Sequence, residues 1–173
     1  MTEKQQNILQ AALMLFAKEG YHATSTSKVA KAAGVSEGLI FRHFENKEGL
    51  LQAILKFGTD KFKELMIDVV MESDPKEDIR KTINLPLKID KSDYDFWRLQ
   101  FKLKWELEIN SDEKMEPLRM ALTNAFKKLD YEAPETEAQL MLIFIDGIGS
   151  SILKGSSIDP SEIIELLSKK HNL

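Results

Sequence analysis

The sequence predicts an all-α protein, with a small N-terminal domain of three helices that contains a helix-turn-helix and a C-terminal helical bundle, about nine helices in all. Every strong apolar periodicity in the 173 residues has helical spacing, and no run alternates with the period of two expected of a strand. Capping residues and prolines stand where these periodic runs begin. Glycines follow several of the runs, as they do at helix ends.

The first helix has both a start and a stop signal. Thr2 and Gln5 have the spacing of a capping box, in which each side chain satisfies the backbone N–H of the other residue. The apolar residues that follow recur every three or four positions, and Gly20 ends the run. We therefore expect a helix between Thr2 and Gly20.

The next stretch is predicted as two short helices joined by a sharp turn at Gly34. A glycine is favoured there because such a turn often needs a positive φ, which costs other residues a Cβ clash. Ser36 stands at the N-cap position of the second short helix, whose apolar face carries Leu39, Ile40 and Phe44. This arrangement is a helix-turn-helix, the geometry that places a short helix in the DNA major groove.

The remaining helices are predicted from their caps and breakers. Asn46 caps a long fourth helix that extends to about Glu72, and Asp74-Pro75 opens a fifth. The segment 84–91 contains a proline and is predicted as a break. Beyond it we expect helices from Ser92 to about Ile109, from there to Leu129, from Pro134 to Gly155, and after Asp159-Pro160.

On this plan residues 1–47 form a DNA-binding head and residues 48–173 form a helical body for ligand binding and dimerisation. The whole chain has a net charge of −4, yet residues 1–50 carry six Lys and Arg against five acids. Because phosphate binding needs local rather than global positive charge, this asymmetry agrees in sign with a nucleic-acid-binding head.

Composition argues against several other classes of protein. The chain has no cysteine, and its three histidines are scattered without metal-ligand spacing, so we expect no metal, no cofactor and no catalysis. No stretch approaches the roughly 20 apolar residues that span a bilayer. The first seven residues lack the apolar core of a signal peptide. We therefore expect a cytoplasmic protein that does not contact membranes.

The helix-turn-helix segment reads AAGVSEGLIFRHFENKEGLL and is preceded by GYHATS. This pattern resembles the N-terminal domain of the tetracycline-repressor (TetR) family of bacterial regulators. The resemblance implies the same plan of a DNA-binding head and an all-α body over the whole chain. As a residue pattern it covers only the first third.

Side chains around the second short helix are suited to DNA contact. Gly38 lets the backbone approach DNA, and Arg42 can reach a phosphate or a guanine edge. Lys47 stands in the first turn of the fourth helix, where free N–H groups favour an anion. The TetR resemblance implies that the matching positions contact the operator backbone. The predicted DNA-contacting residues are Thr24, Ser25, Ser36, Glu37, Gly38, Phe41, Arg42, His43 and Lys47.

At three of these positions the expected contact with DNA is lost, ambiguous or secondary to another role. Phe41 stands where the family commonly has tyrosine, so a phenolic contact to phosphate is lost. Glu37 places an acid at the DNA-facing start of the helix, where it either accepts from cytosine N4 or repels phosphate. For Ser36 we expect helix capping to be the main role, with phosphate contact added.

An aromatic stripe in the body has two interpretations. Its residues follow helical spacing, and such a stripe is more often filled core than ligand site. In TetR-like bodies, however, helices four to seven enclose a pocket, which implies a small apolar or amphipathic effector here. Two residues of the fourth helix would face the same cavity. The predicted ligand-binding residues are Phe62, Met66, Tyr94, Trp97, Phe101 and Trp105.

The last two helices are predicted to form a homodimer interface. Ile143, Gly147 and Ser150 share one helix face, and a glycine inside a helix costs roughly 1 kcal/mol unless close packing compensates. Ile163 and Leu167 belong to an apolar stripe on the last helix that we expect a partner subunit to cover. Asp146 lies in the middle of this face, as an exposed or capped residue, an inter-subunit partner or part of a ligand site.

These features predict a homodimeric transcriptional regulator, a repressor that binds a near-palindromic operator and is released by a small-molecule effector. The alternative is a helical protein-interaction or adaptor module without specific DNA binding. Salt-dependent binding to the promoter region beside the protein's own gene distinguishes the two.

Overall fold

The computed structural model describes residues 2–106, 112–157 and 159–173, and of residues 103–106 and 112 the backbone alone. Nine α-helices and no strand occur in these ranges. The helices are α1 Glu3–Glu19, α2 Thr26–Ala33, α3 Glu37–Phe44, α4 Lys47–Val70, α5 Pro75–Asn84, α6 Tyr94–Glu106, α7 Asp112–Lys128, α8 Pro134–Lys154 and α9 Pro160–Lys170, with 3₁₀ turns at Leu85–Lys88 and Lys91–Asp93.

The chain divides into two compact units. The head unit comprises the described residues of Met1–Lys61 and Ser92–Ile109, and the body unit comprises those of Phe62–Lys91 and Asn110–Leu173. This division differs from the predicted boundary after residue 47. The first part of α4 and the whole described part of α6 belong with the head, because they contribute to its core.

The head core is built from one apolar face of each helix. Phe16 of α1 and Ile40 of α3 are fully buried in this core. Phe96 and Leu99 of α6 are just as buried in the same cluster, which is why α6 joins the head. The buried members are Ile8, Ala12, Phe16, Val29, Ala30, Ile40, Phe44, Leu50, Leu51, Ile54, Phe96 and Leu99.

The turn between α2 and α3 has the predicted conformation. Gly34 adopts φ +66° and ψ 33°, the left-handed region that favours glycine. Its N–H bonds back to the carbonyls of Ala30 and Lys31, and the Val35 N–H donates to the Ala30 carbonyl at 3.0 Å. These bonds satisfy the last carbonyls of α2 and fix the angle at which α3 leaves.

The turn between α3 and α4 is tight. The Asn46 Oδ1 accepts from the Gly49 N–H at 2.8 Å, which confirms the predicted cap. Glu45 adopts a positive φ of 65° in the same turn. A Cβ on Gly49 would collide with the carbonyl oxygen of Phe44 and lie 3.1 Å from its carbon, so only glycine fits there.

The body unit has its own core, to which α5, α7, α8 and α9 contribute. Ile79, Leu118, Phe126 and Ala138 are fully buried in it. The helix α8 has 21 residues and by length and composition alone could cross a membrane. This differs from the sequence-based prediction that no stretch has sufficient apolar length to span a bilayer. Its buried side lies in the body core, and core helices of folded proteins pass the same test.

Candidate DNA-contacting surface and other predicted sites

The helix α3 presents a small exposed face. Ile40 and Phe44 point into the head core, while Gly38, Phe41 and Arg42 are exposed. A Cβ on Gly38 would meet nothing within 4 Å, so no neighbour in the chain requires a glycine there. The exposed face therefore combines a bare backbone segment, an aromatic ring and a guanidinium group.

Thr24 does not belong to this surface, and its prediction as a DNA contact is wrong. Its side chain is buried, and its hydroxyl donates to the Gly20 carbonyl at 2.9 Å. A hydroxyl has a single hydrogen to donate, and here it is used inside the protein. Thr24 instead holds the loop between α1 and α2.

The two predicted serines stand at helix starts and differ in how they cap. The Ser25 Oγ accepts from the Lys28 N–H at 3.2 Å, which leaves the hydroxyl hydrogen for another acceptor. Ser36 has the extended backbone of an N-cap residue, but its side chain makes no capping hydrogen bond. Capping is therefore not the role of the exposed Ser36 hydroxyl in this structure.

Glu37 is held within the helix-turn-helix. Its Oε1 accepts a hydrogen bond of 2.6 Å from the hydroxyl of Thr26, the first residue of α2. This contact ties the start of α3 to the start of α2. A role within the turn thus stands beside the two roles predicted for Glu37, base contact and phosphate repulsion.

Lys47 is positioned by the loop that follows α1. Its Nζ lies 4.4 Å from the centre of the Tyr21 ring and donates to the His22 carbonyl at 3.4 Å. The Tyr21 hydroxyl donates to Glu48 at 3.0 Å, and burial together with this carboxylate raises the pKa of Tyr21 to about 12. Tyr21 therefore stays neutral and anchors the first turn of α4 through two neighbouring side chains.

His43 is held by Gln5, which the sequence predicts only as part of the cap of α1. Its Nδ1 lies 3.4 Å from the Gln5 Nε2. Gln5 also completes the predicted capping box of α1 with Thr2, which is confirmed. The spacing of Thr2 and Gln5 revealed the cap, but no local signal joined Gln5 to a residue 38 positions away.

Nearby lysines differ in how far they are neutralised. The Lys28 Nζ lies 2.7 and 2.5 Å from the two carboxylate oxygens of Glu19, so an acid of α1 offsets this cation. Lys31 is exposed on the same helix.

Within the described residues no group of three or more metal-binding side chains is found.

The predicted ligand-binding residues do not share one unit. Tyr94, Trp97 and Phe101 are half-buried residues of the head unit, whereas Phe62 and Met66 belong to the body unit, where Met66 is buried in the core. The Trp105 side chain lies outside the described residues. Phe96 and Leu99, the fully buried residues of α6, lie on the opposite face of the helix from the predicted stripe and are filled core.

Two of the five predicted dimer residues are exposed, two are half-buried and one is buried. Ile143 is 59% exposed, Gly147 is exposed, and Ser150 and Ile163 are half-buried. Leu167 was wrongly assigned to this surface, because it is buried in the core of its own chain. The helical period places Leu166 on the outer side of α9 instead, where it is 56% exposed.

A short exposed helix, fixed across a sharp turn by an apolar core and followed by a capped helix N-terminus, is the arrangement of a helix-turn-helix DNA-binding domain. Residues 8–54 match the sequence profile described as bacterial regulatory proteins, tetR family. Over these residues the chain is similar to the DNA-binding domain of that family.

Similar proteins extend this comparison beyond the head. The chain is 26% identical to the HTH-type transcriptional regulator YuxN of Bacillus subtilis over 98% of its own length, and the match spans 62% of YuxN. It is 26% identical to the transcriptional repressor AcnR of Corynebacterium efficiens, over 94% of this chain and 89% of AcnR. The structure of AibR in complex with isovaleryl coenzyme A and operator DNA has the same fold, with a TM-score of 0.72, 21% identity and coverage of 95% and 96%.

Proposed function

We propose that the protein is a cytoplasmic, homodimeric repressor that binds a near-palindromic operator and leaves it when a small effector binds. The observation that carries this proposal is the exposed face of α3, in which Arg42 and a bare backbone segment at Gly38 stand on a rigid apolar core. Such a face has the size and chemistry of a major-groove reader. The similarity to the repressor AcnR supports repression over activation.

We propose a smaller set of operator contacts than the sequence predicted. Arg42 reads a base or a phosphate, and Ser25 and Ser36 donate to phosphates through hydroxyls that remain available. Lys47 adds a cation at the N-terminus of α4, where the positive end of the helix dipole favours the same anion. His43 completes the set of donors, and Gly38 and Phe41 supply close approach and apolar contact.

The proposed dimer interface is the outer face of α8 and α9. Leu140, Ile143, Phe144 and Gly147 recur at helical spacing on α8, and the first three are 40–59% exposed. A Cβ on Gly147 would meet nothing within 4 Å, so the chain's own packing does not explain a glycine that weakens the helix. A partner helix that approaches closely at this position explains it.

The proposed effector site is in the core of the body unit. Two buried polar atoms there, Asp78 Oδ1 and Thr123 Oγ1, have no hydrogen-bond partner among the described residues. Most buried polar atoms in native proteins are satisfied, so such atoms mark a place where a polar group of a ligand or a water belongs. Phe62 and Met66 are the predicted pocket residues of this unit. An amphipathic effector supplies both kinds of contact.

Release of DNA follows from a population shift. The effector must have a higher affinity for the state of the protein that cannot bind the operator than for the state that can. A ligand with equal affinity for both states does not change their populations. The helix α4 contributes Lys47 to the head unit and Met66 to the body unit. We propose that the effector acts on the head through this helix.

The experiment that tests the proposed function is footprinting on the promoter region beside the protein's own gene. We expect two protected half-sites of related sequence, with centres about one helical turn apart or a multiple of it. Protection that is uniform along the DNA, or absent at physiological salt, would contradict operator binding and favour the adaptor interpretation. Sedimentation of the same preparation gives the oligomeric state independently.

A further inference from the structure

The side chain of Gln5 connects the start of α1 to the exposed helix α3. Its Oε1 accepts a hydrogen bond of 2.8 Å from the Thr2 backbone N–H, and its Nε2 lies 3.4 Å from His43 Nδ1. A backbone N–H can only donate, so the amide oxygen must face Thr2. The amide nitrogen must then face the imidazole ring.

This arrangement determines which nitrogen of His43 carries the proton. The amide nitrogen of Gln5 offers only hydrogens, so His43 Nδ1 must accept and cannot be protonated. The neutral ring then carries its single proton on Nε2. We infer that Gln5 is a positioning residue, which holds His43 in the tautomer whose Nε2–H is offered to an operator phosphate. This inference rests on the proposed contact between His43 and DNA.

The substitution Gln5→Glu separates this role from helix capping. Glutamate is a normal partner in a capping box, so the bond from Thr2 N–H and the stability of α1 are retained. The group that faces His43 becomes an acceptor, however, and when the ring is neutral its one proton must lie on Nδ1 to meet the carboxylate. Gln6→Glu is the matched control, because it adds the same charge at the next, exposed position of α1.

The first measurement is long-range ¹H–¹⁵N NMR of the His43 ring in the free protein, at a pH where the ring nitrogen shifts report the neutral form. We expect the proton on Nε2 in the wild type and in Gln6→Glu, and on Nδ1 in Gln5→Glu. A proton on Nδ1 in the wild type, or a ring state that Gln5→Glu leaves unchanged, would overturn the inference whatever the protein does with DNA.

The second measurement is operator affinity at the same pH, in the wild-type and His43→Ala backgrounds. Gln5→Glu removes a donor to phosphate and should weaken binding on the order of tenfold more than Gln6→Glu does. In the His43→Ala background the two substitutions should have equal effects, because their difference acts through His43. If the His43 ring changes tautomer but the two substitutions affect affinity equally in the wild-type background, the proposed His43 contact with DNA is wrong. That result would not by itself contradict DNA binding by the helix-turn-helix.

Discussion

Gly58 of α4 packs against the Phe96 ring of α6. A Cβ added to Gly58 would overlap the Cζ of the Phe96 ring and lie 2.9 Å from its Cε2. It would also lie 2.8 Å from the Nε2 of Gln100. Phe96 is 1% exposed, so its ring has no free space into which it could move. The two helices therefore need a glycine at this position.

The substitution Gly58→Ala should destabilise the protein, although alanine favours a helix by about 1 kcal/mol over glycine. Overpacking against a buried ring costs typically about 1–3 kcal/mol and outweighs that gain. Gly38→Ala is the control, since its Cβ meets nothing within 4 Å and should leave stability equal or raised. Urea unfolding followed by circular dichroism measures both. A Gly58→Ala protein more stable than the wild type would contradict the close contact.

Replacing Thr24 by valine tests its assignment to structure rather than to DNA. The Gly20 carbonyl loses its donor, so the free energy of unfolding should fall by about 1 kcal/mol. Operator affinity should be unchanged at temperatures where the variant is folded. Calorimetry and fluorescence anisotropy measure the two effects. Reduced affinity with unchanged stability would return Thr24 to the DNA-contacting surface.

Asp78 should make stability depend on pH. Burial is the main reason that the pKa of this carboxyl rises from 3.8 to about 6, so the folded state favours the protonated form. The contribution of Asp78 to stability is therefore most favourable below pH 4, declines as the pH rises to about 6, and is constant above that value. The penalty at pH 7 is up to about 3 kcal/mol.

The substitution Asp78→Asn removes this titration. Its stability advantage over the wild type should be absent near pH 4 and largest above pH 6. Unfolding by urea at several pH values, with the wild type and variant compared at each, isolates this one group. An asparagine variant that is less stable than the wild type at pH 7 would mean that the carboxylate is ionised and partnered in the folded protein.

The dimer proposal is tested by Gly147→Leu. A leucine has room on the isolated chain but would separate two helices that meet at this position. We expect sedimentation to shift toward the monomer, with the helical content retained. Asn124→Leu adds the same side chain at an exposed position of a different helix, α7, and should leave the dimer intact. A wild-type protein that is monomeric at micromolar concentration would rule out the interface.

Local chemistry explains which features were predictable from the sequence. The αL glycine at Gly34 and the caps at Thr2 and Asn46 depend on residues within a few positions of each other. The burial of Thr24, by contrast, depends on how the loop after α1 folds back onto the Gly20 carbonyl.

The assignment of the α6 aromatics required tertiary information. Helical periodicity places Phe96 and Leu99 on a face, but it does not say which core that face meets. The structure puts both residues, which face away from the predicted stripe, in the head core, and it leaves Tyr94, Trp97 and Phe101 half-buried. In the same way, the pattern of α9 showed an apolar stripe but could not tell the buried Leu167 from the exposed Leu166.

The central claim is that α3 and the first turn of α4 bind operator DNA, and the salt dependence of affinity tests it most directly. Fluorescence anisotropy over a salt series should compare the wild type with Lys47→Ala and Lys56→Ala, an exposed lysine about 13 Å further along α4. Lys47→Ala should reduce the slope of log affinity against log salt by about one unit per lost contact, and Lys56→Ala should not. The same slope for all three proteins would contradict the account.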